Sequence, residues 1–197
     1  MTIHLRAATR ADAADIAALM NMAGEGLPMS LWQRQAGYGE DPMQVGVRDA
    51  AAGRGIFFDR AAIRIAEVDG EVAGLLISSV IGSEPRMLQI DTHPVMRPIL
   101  KLTNRAPAAR LVQALAVYPQ HRRRGIASRL MEEAEAAAGL GGLVKIVGDA
   151  NELGRGFLDD RGYALSERAP MIRADWDTAN SAWMLMQRHD PASPAFA

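Results

Sequence analysis

The sequence predicts a mixed α/β fold, in which a sheet that begins antiparallel contains a central strand–helix–strand crossover. Two apolar runs joined by Asp69-Gly70 have the pattern of a β-hairpin. Two further apolar runs, Leu111 to Val117 and Leu143 to Val147, enclose the amphipathic segment Gly125 to Ala138. That order is typical of a β-α-β unit.

Before the hairpin, the patterns predict one short strand and three helices. Thr9 offers a hydroxyl N-cap with Asp12 in the capping-box position, and Asp41 is placed to cap the third helix. The predicted strands are Ile3 to Ala8, Ala62 to Val68 and Val72 to Ile81, and the predicted helices are Thr9 to Met22, Pro28 to Tyr38 and Pro42 to Ala52. The last two helices begin with proline and end near glycines, as helices commonly do.

The second half begins with a long polar segment. Gly82 to Ala109 contains four prolines and is predicted to be a loop with one short helix, Val95 to Leu102. Loops of this length are usually functional or mobile. The remaining predicted elements are the helix Asn151 to Asp160, the strands Gly162 to Met171 and Ala182 to Arg188, and a frayed tail, Pro191 to Ala197.

Composition limits the classes of function. A chain of 197 residues fits one domain, which we assign to residues 1–190. The net charge of −1 gives no reason to expect nucleic acid or an anionic membrane as a partner. The absence of cysteine excludes a disulfide framework and a cysteine nucleophile, and the four histidines are not spaced as a metal site. Since no apolar run has the length of a membrane span or the character of a signal peptide, we expect a cytoplasmic protein.

The most informative segment runs from Leu115 to Ala127, where a strand leads through a proline turn and a basic loop into a helix. The first N–H groups of a helix lack internal partners and lie at the positive end of the helix dipole, so they bind anions such as pyrophosphate. Gly125 and Ala127 are small and would let a phosphate approach the backbone. On the residues alone, a turn with a solvated basic edge is an equal alternative.

This segment resembles the central motif of the GCN5-related N-acetyltransferases (GNAT), Q/R-x-x-G-x-G/A. Arg122, Gly125 and Ala127 fill its first, fourth and sixth places, and the preceding LAVYP also matches. The stretch from Asn151 to Tyr163 resembles a second family segment, N-E followed by G-(F/Y). The resemblance implies an α/β (α+β) fold with a mixed, mostly antiparallel sheet of six to seven strands and helices on both faces.

The resemblance also implies an activity: transfer of an acetyl group from acetyl-CoA to a primary amine of a small molecule or peptide, by direct attack in a ternary complex. The backbone N–H of Leu115, where a bulged strand splays, would bind the acetyl carbonyl and stabilise its oxyanion. The residues implied in cofactor binding are Leu115, Ala116, Val117, Arg122, Arg123, Arg124, Gly125, Ile126, Ala127 and Asn151. No metal is implied. A homodimer through edge strands near the C-terminus is expected by family habit.

The sequence departs from the family at the proton-transfer positions. The tyrosine that often protonates the leaving thiolate aligns with Leu158, which cannot donate a proton. Gln113 stands where Glu or His is common, and its amide can orient a water but cannot take its proton. Glu25, in a glycine-rich turn, is the candidate for binding or deprotonating the amine, with a plain surface glutamate as the alternative. Tyr118 is either an acid or a packing residue beside the turn.

Three other side chains have two interpretations each, and two have one. Asp149 and Asn151 either contact cofactor or acceptor, or serve the local structure, Asn151 as an N-cap. Trp32 either lines the acceptor pocket or lies in the core. His121 is expected to face solvent, and Tyr163 is expected to pack in the sheet.

Three functions therefore remain in competition: an N-acetyltransferase, a non-catalytic acyl-CoA-binding sensor or interaction domain, and a nucleotide-binding protein of another kind. The third is disfavoured because neither G-x-x-x-x-G-K-[ST] nor G-x-G-x-x-G after a strand is present. Acidic residues near the expected cleft, Glu25, Glu40 and Asp41, favour a cationic amine as the acceptor.

Overall fold

The computed structural model describes residues 2–54, 62–139 and 141–188, and the predicted tail at 191–197 lies outside them. Within these ranges the chain forms seven strands and six α-helices. The strands are β1 Ile3–Ala7, β2 Ile63–Val68, β3 Glu71–Val80, β4 Arg110–Val117, β5 Leu143–Gly148, β6 Ala164–Pro170 and β7 Ala182–Arg188. The helices are α1 Ala13–Ala23, α2 Leu27–Gln33, α3 Pro42–Ala52, α4 Met96–Thr103, α5 Ile126–Ala136 and α6 Glu152–Asp159.

The strands follow the order β1-β2-β3-β4-β5-β7-β6 in a mixed sheet. The pairs β1–β2, β2–β3, β5–β7 and β6–β7 are antiparallel, whereas β4 and β5 run parallel with α5 between them in the chain. The parallel register pairs Arg110 with Leu143 and Val112 with Lys145, at the beginning of β4. This topology confirms the predicted fold class and its central crossover.

Internal contacts divide the chain into two compact units. The first contains the residues up to Ser78 together with Gln113–Glu133, and thus β1, β2, most of β3, α1 to α3, the end of β4 and most of α5. The second contains Ser79–Val112 and the residues from Ala134 onward. The assignment of residues 1–190 to one domain stays a prediction.

The core of the first unit lies between α1 and the strands of the hairpin. Its buried side chains include Ile16, Leu19, Trp32, Ile63, Ile65, Leu75 and Ile77. The chain enters α1 through a 3-10 turn, Arg10–Asp12, where the Asp12 carboxylate accepts hydrogen bonds from the Thr9 N–H (2.6 Å) and hydroxyl (2.8 Å). Thr9 and Asp12 therefore interact as the sequence predicts, although a 3-10 turn precedes the α-helix.

Two further predicted boundaries differ from the structure. Helix α2 ends at Gln33 rather than Tyr38, four residues before Gly37, whose N–H donates to the Glu40 carboxylate (2.8 Å). Helix α5 begins one residue after Gly125, whose φ of 79° lies outside the helical region. Helix α1 begins at Ala13, four residues after Thr9, because the 3-10 turn precedes it. The other element boundaries agree with the predictions within about two residues, which is the usual uncertainty of helix and strand ends.

Candidate functional site

The end of β4 lies unusually close to β3. A Cβ atom added to Gly74 would stand 2.6 Å from the carbonyl oxygen of Ala116, so only glycine fits there. One residue past the strand, the N–H of Tyr118 donates to the carbonyl of Ala73 at 2.9 Å. This hydrogen bond and the close approach of the two strands at Gly74 fix the direction in which the chain leaves β4.

A short loop connects β4 to α5. After the 3-10 turn Pro119–His121, both Arg123 (φ 60°) and Gly125 (φ 79°) adopt the left-handed conformation. Left-handed residues in a turn favour the convergence of successive N–H groups on one concave face, an anion-binding nest. The loop residues 122–125 are exposed, and nothing lies within 4 Å of a Cβ built on Gly125. The start of an 11-residue helix is thus open to an anion.

The side chain of Arg122 folds back onto its own strand. Its Nε donates to the carbonyl of Val117 at 3.1 Å, and its Nη2 lies 3.3 Å from Sδ of Met22 in α1. Arg122 was predicted to bind cofactor, and its guanidinium holds the loop against the strand and α1. A contribution of its backbone to cofactor binding stays a prediction.

Helix α1 contacts the turn a second time through Tyr118. The phenol donates to Oδ1 of Asp15 at 2.7 Å. Burial, and then the hydrogen bond to Asp15, raise the pKa of Tyr118 well above its usual value. The phenol therefore stays protonated at neutral pH and its proton is already donated to Asp15, which favours the packing interpretation of Tyr118.

Glu25 lies at the C-terminal end of the same helix. Its N–H donates to the carbonyl of Met22 at 3.2 Å, and Met22 is the residue that Arg122 contacts. Glu25 is exposed and left-handed (φ 53°), an uncommon conformation for a residue other than glycine. The structure thus brings the Glu25 turn and the Arg122 loop to the same end of α1.

Side chains on β4 alternate between two faces. Ala114 and Ala116 pack into the core cluster of the first unit. Gln113 is exposed and Leu115 is half-buried on the opposite face. Gln113 and Leu115 are therefore placed together on one face, whereas the loop arginines follow the end of the strand.

The predicted solvent exposure of His121 is wrong. It was expected to face solvent, but it is only 9% exposed, and its buried Nδ1 has no hydrogen-bond partner within the described residues. The 3-10 turn reverses the chain just after Pro119 and places this ring inside, which the sequence pattern does not indicate.

In the second unit, Asn151 and Asp149 both take part in the local structure, and a cofactor contact of Asn151 stays a prediction. The Oδ1 of Asn151 accepts the Gly154 N–H at 2.8 Å and caps α6. The Asp149 carboxylate accepts hydrogen bonds from the Ser181 hydroxyl, the backbone N–H groups of Ser181 and Ala182, and Arg168. These partners, the Ser181 hydroxyl foremost, hold the pKa of Asp149 well below its usual range.

Leu158 and Tyr163 are both buried in this unit. Leu158, at the position of the family tyrosine, is 1% exposed and offers no proton. Tyr163 is 4% exposed, and burial raises the pKa of its phenol well above the usual value. Tyr163 packs in the interior, as predicted.

The described part of the chain offers no candidate for a metal site or a membrane-spanning helix. No group of three or more His, Asp or Glu side chains there is arranged to hold a metal ion. No helix of residues 2–54, 62–139 and 141–188 is long and apolar enough to cross a membrane.

Comparison with known proteins identifies the family. Residues 29–163 match the model of the Acetyltransferase (GNAT) family, which is more than half of the chain. No curated protein sequence matches the chain.

Solved structures share the fold at low sequence identity. An N-acetyltransferase from Staphylococcus aureus Mu50 has a TM-score of 0.62 and 14% identity, with 93% of this chain and 98% of that chain covered. Naa20 from Chaetomium thermophilum, solved with a bisubstrate analogue, has a TM-score of 0.56 and 17% identity, with 96% and 86% covered. The PaiA N-acetyltransferase from Thermoplasma acidophilum, solved with coenzyme A, has a TM-score of 0.52 and 14% identity, with 96% and 100% covered. These structures share the fold, and the family match shows that the chain belongs to the GNAT acetyltransferase family and is an acyltransferase.

Proposed function

We propose that this protein transfers the acetyl group of acetyl-CoA to a primary amine of a small molecule or peptide by direct attack in a ternary complex. The observation that carries the proposal is the loop between β4 and α5. Arg123 and Gly125 are left-handed, and the loop residues 122–125 are exposed directly before the start of α5. This arrangement suits the pyrophosphate of a CoA thioester.

In the first unit, different segments of the chain would bind different parts of such a cofactor. The loop and the first turn of α5, with Ile126 and Ala127, would donate backbone N–H groups to the pyrophosphate. Arg123 and Arg124 would add positive charge. The pantetheine arm would follow Leu115 to Val117, and the N–H of Leu115 would bind the thioester oxygen and stabilise the negative charge that develops on it.

The acceptor side is assigned to the turn after α1. An amine is mostly protonated at neutral pH, because its pKa is near ~10.4, and it must lose a proton before it attacks. Glu25 is exposed at the end of α1 and would bind the cationic amine or take its proton. Gln113, exposed on β4, would orient a water.

Two structural relatives support the choice of substrates. PaiA was solved with coenzyme A, and Naa20 was solved with a bisubstrate analogue. If this chain uses the shared fold in the same way, it binds a CoA compound and holds donor and acceptor together. Much of the rate would then come from positioning of the two reactants.

Leu158 favours a second candidate, a non-catalytic domain that binds acyl-CoA as a sensor or interaction module. The residue is buried and cannot protonate a thiolate. A protein without a proton donor there still transfers acetyl groups if water or another residue protonates the leaving group. Turnover therefore decides between the two candidates.

A thiol-release assay tests the proposal. Acetyl-CoA is mixed with a panel of polyamines, amino sugars and peptides, and the released thiol is titrated. Because the chain contains no cysteine, the thiol reagent reports only free CoA. We expect turnover with at least one cationic amine, and we expect the variant Glu25→Gln to lose most of it while still binding acetyl-CoA.

Two other results of these assays would count against the transferase. Binding of acetyl-CoA without turnover on any amine would favour the sensor. Absence of binding to acetyl-CoA, longer acyl-CoAs and free CoA would contradict both candidates.

A further inference from the structure

A basic pocket lies on the first unit and shares no residue with the loop between β4 and α5. It has a volume of about 650 Å³ and is lined by Arg10, Arg48, Ala51, Ala52 and Arg54. Small-molecule sites in proteins commonly have volumes of about 300–1,000 Å³.

Two separate elements supply these arginines and hold their backbones in place. Arg10 begins the 3-10 turn before α1, while Arg48 belongs to α3. Helix α3 ends at left-handed Gly53 (φ 62°), and the N–H of Arg54 donates to the carbonyl of Asp49 at 3.0 Å. This pair of features fixes the position of Arg54 just beyond the helix.

Within the described part of the chain, the positive charges of the pocket are not balanced. Arg48 forms an ion pair with Glu40. Asp12, the acid nearest to Arg10 in sequence, is occupied, since its two oxygens accept from Arg6 at 2.6 and 2.8 Å. Neither Arg10 nor Arg54 has a side-chain hydrogen bond or ion pair with a partner in residues 2–54, 62–139 and 141–188.

The helix dipole explains only part of this arrangement. The C-terminal end of α3 carries partial negative charge and favours a cation such as Arg54 close by. It gives no reason for Arg10, from another element, to line the same pocket, because like charges that converge repel each other. A bound anion would remove that cost.

We propose that this pocket binds a small molecule that bears a phosphate group. A phosphate offers three or more acceptor oxygens and close to two negative charges near neutral pH, which matches several guanidinium groups better than a single carboxylate does. Arg10, Arg48 and Arg54 bind the phosphate, while Ala51 and Ala52 contact the apolar part of the ligand. The proposal does not depend on the transferase reaction.

Inorganic phosphate is the probe for the first test. It is titrated into the native protein at constant ionic strength, with calorimetry for the dissociation constant and the melting temperature as a second readout. The variants Arg10→Gln and Arg54→Gln each remove one charge at an exposed position. The matched control is Arg86→Gln, an exposed arginine of the second unit, and acetate replaces phosphate as the ligand control.

A second control separates this pocket from the cofactor loop. Arg123→Gln removes a charge from the loop and leaves the pocket intact. We expect phosphate affinity to fall about tenfold or more in Arg10→Gln and Arg54→Gln, and to change less than about twofold in Arg86→Gln. The rise in melting temperature with phosphate should be smaller in the same two variants than in the native protein and in Arg86→Gln.

Three results would overturn the proposal. The first is absence of phosphate binding by the native protein at millimolar concentration. The second is equal loss of affinity in the pocket variants and Arg86→Gln, which would show unspecific attraction. The third is loss of affinity only in Arg123→Gln, which would place the bound phosphate on the cofactor loop.

Discussion

At the scale of single residues, neighbouring arginines in one loop have different roles. Arg122 folds back and donates to the Val117 carbonyl, while Arg123 is exposed and left-handed. Their backbone conformations decide this, since the left-handed turn at Arg123 follows the extended Arg122, whose ψ is 163°. We therefore expect the two side chains to affect stability and cofactor affinity differently.

Replacement of each arginine by alanine tests this difference. Arg122→Ala should lower the free energy of unfolding by about 1 kcal/mol, because it removes a hydrogen bond that holds the loop, and it should weaken acetyl-CoA binding at all salt concentrations. Arg123→Ala should leave the free energy of unfolding nearly unchanged and weaken binding mainly at low salt. Urea unfolding and calorimetry at two salt concentrations measure these effects. Equal losses of stability in both variants would contradict the assignment.

At the scale of elements, helix α1 supports the loop along its length. Asp15 accepts from Tyr118, and Met22, seven residues later, contacts Arg122. Seven residues of helix span about 10 Å, so α1 contacts the turn at two points that are about 10 Å apart along the helix. The β3 strand holds the other side through the bond from Tyr118 to Ala73. Cofactor affinity should therefore respond to a contact that does not touch the cofactor.

Tyr118→Phe removes one hydroxyl and leaves the ring in place. We expect the free energy of unfolding to fall by about 1 kcal/mol, because Asp15 loses a half-buried partner, and we expect a severalfold weaker affinity for acetyl-CoA. The matched control is Tyr38→Phe, at a fully exposed tyrosine. A loss of stability with unchanged affinity would show that the contact is structural only.

At the scale of the whole molecule, ion pairs make the fold sensitive to acid. The Arg6 guanidinium lowers the pKa of Asp12 from 3.8 to about 2, with help from Thr9 and against the effect of burial. The pKa of Glu135 is also lowered. Burial raises this pKa, but hydrogen bonds from Arg161 and Arg188 outweigh the effect of burial. Because the folded state favours the ionised forms, these acids stabilise the fold above their usual pKa values and lose that contribution as the pH falls.

Asp12→Asn tests the acid response. In the native protein, ionised Asp12 should add about 2 kcal/mol to the free energy of unfolding above pH ~4. This contribution should disappear between pH ~4 and pH ~2. The variant should be less stable at pH 7 and should lose less stability across that range. Urea unfolding at several pH values gives the comparison, with the exposed Asp177→Asn as control. Parallel curves for native protein and Asp12→Asn would contradict the assignment.

The sequence predicts the elements of this molecule better than its contacts. Strand and helix periods, the Asp69-Gly70 turn and the Asp41 cap are local signals, and the structure contains each of them. The motif at Arg122 to Ala127 also identified the family. By contrast, the bond from Tyr118 to Asp15 joins residues 103 positions apart, and no local pattern encodes it.

The same limit applies to side-chain direction. His121 lies beside three arginines in sequence, which indicates an exposed loop, yet the 3-10 turn buries its ring. Arg122 fits the family motif, but its side chain bonds to Val117. Both outcomes depend on tertiary packing around the turn, and packing is absent from a pattern of residue types.

The central claim is that the start of α5 binds the pyrophosphate of acetyl-CoA, and calorimetry on two glycine variants tests it most directly. Gly125→Glu places a negative side chain at the proposed nest. Gly39→Glu is the matched control, since Gly39 is also left-handed (φ 74°) and also has open space around its Cβ position. Both variants therefore carry the same backbone strain and the same added charge.

We predict that the native protein and Gly39→Glu bind acetyl-CoA with similar affinity, and that Gly125→Glu loses at least tenfold. Equal affinity in all three proteins would contradict the claim, because the cofactor would then bind elsewhere.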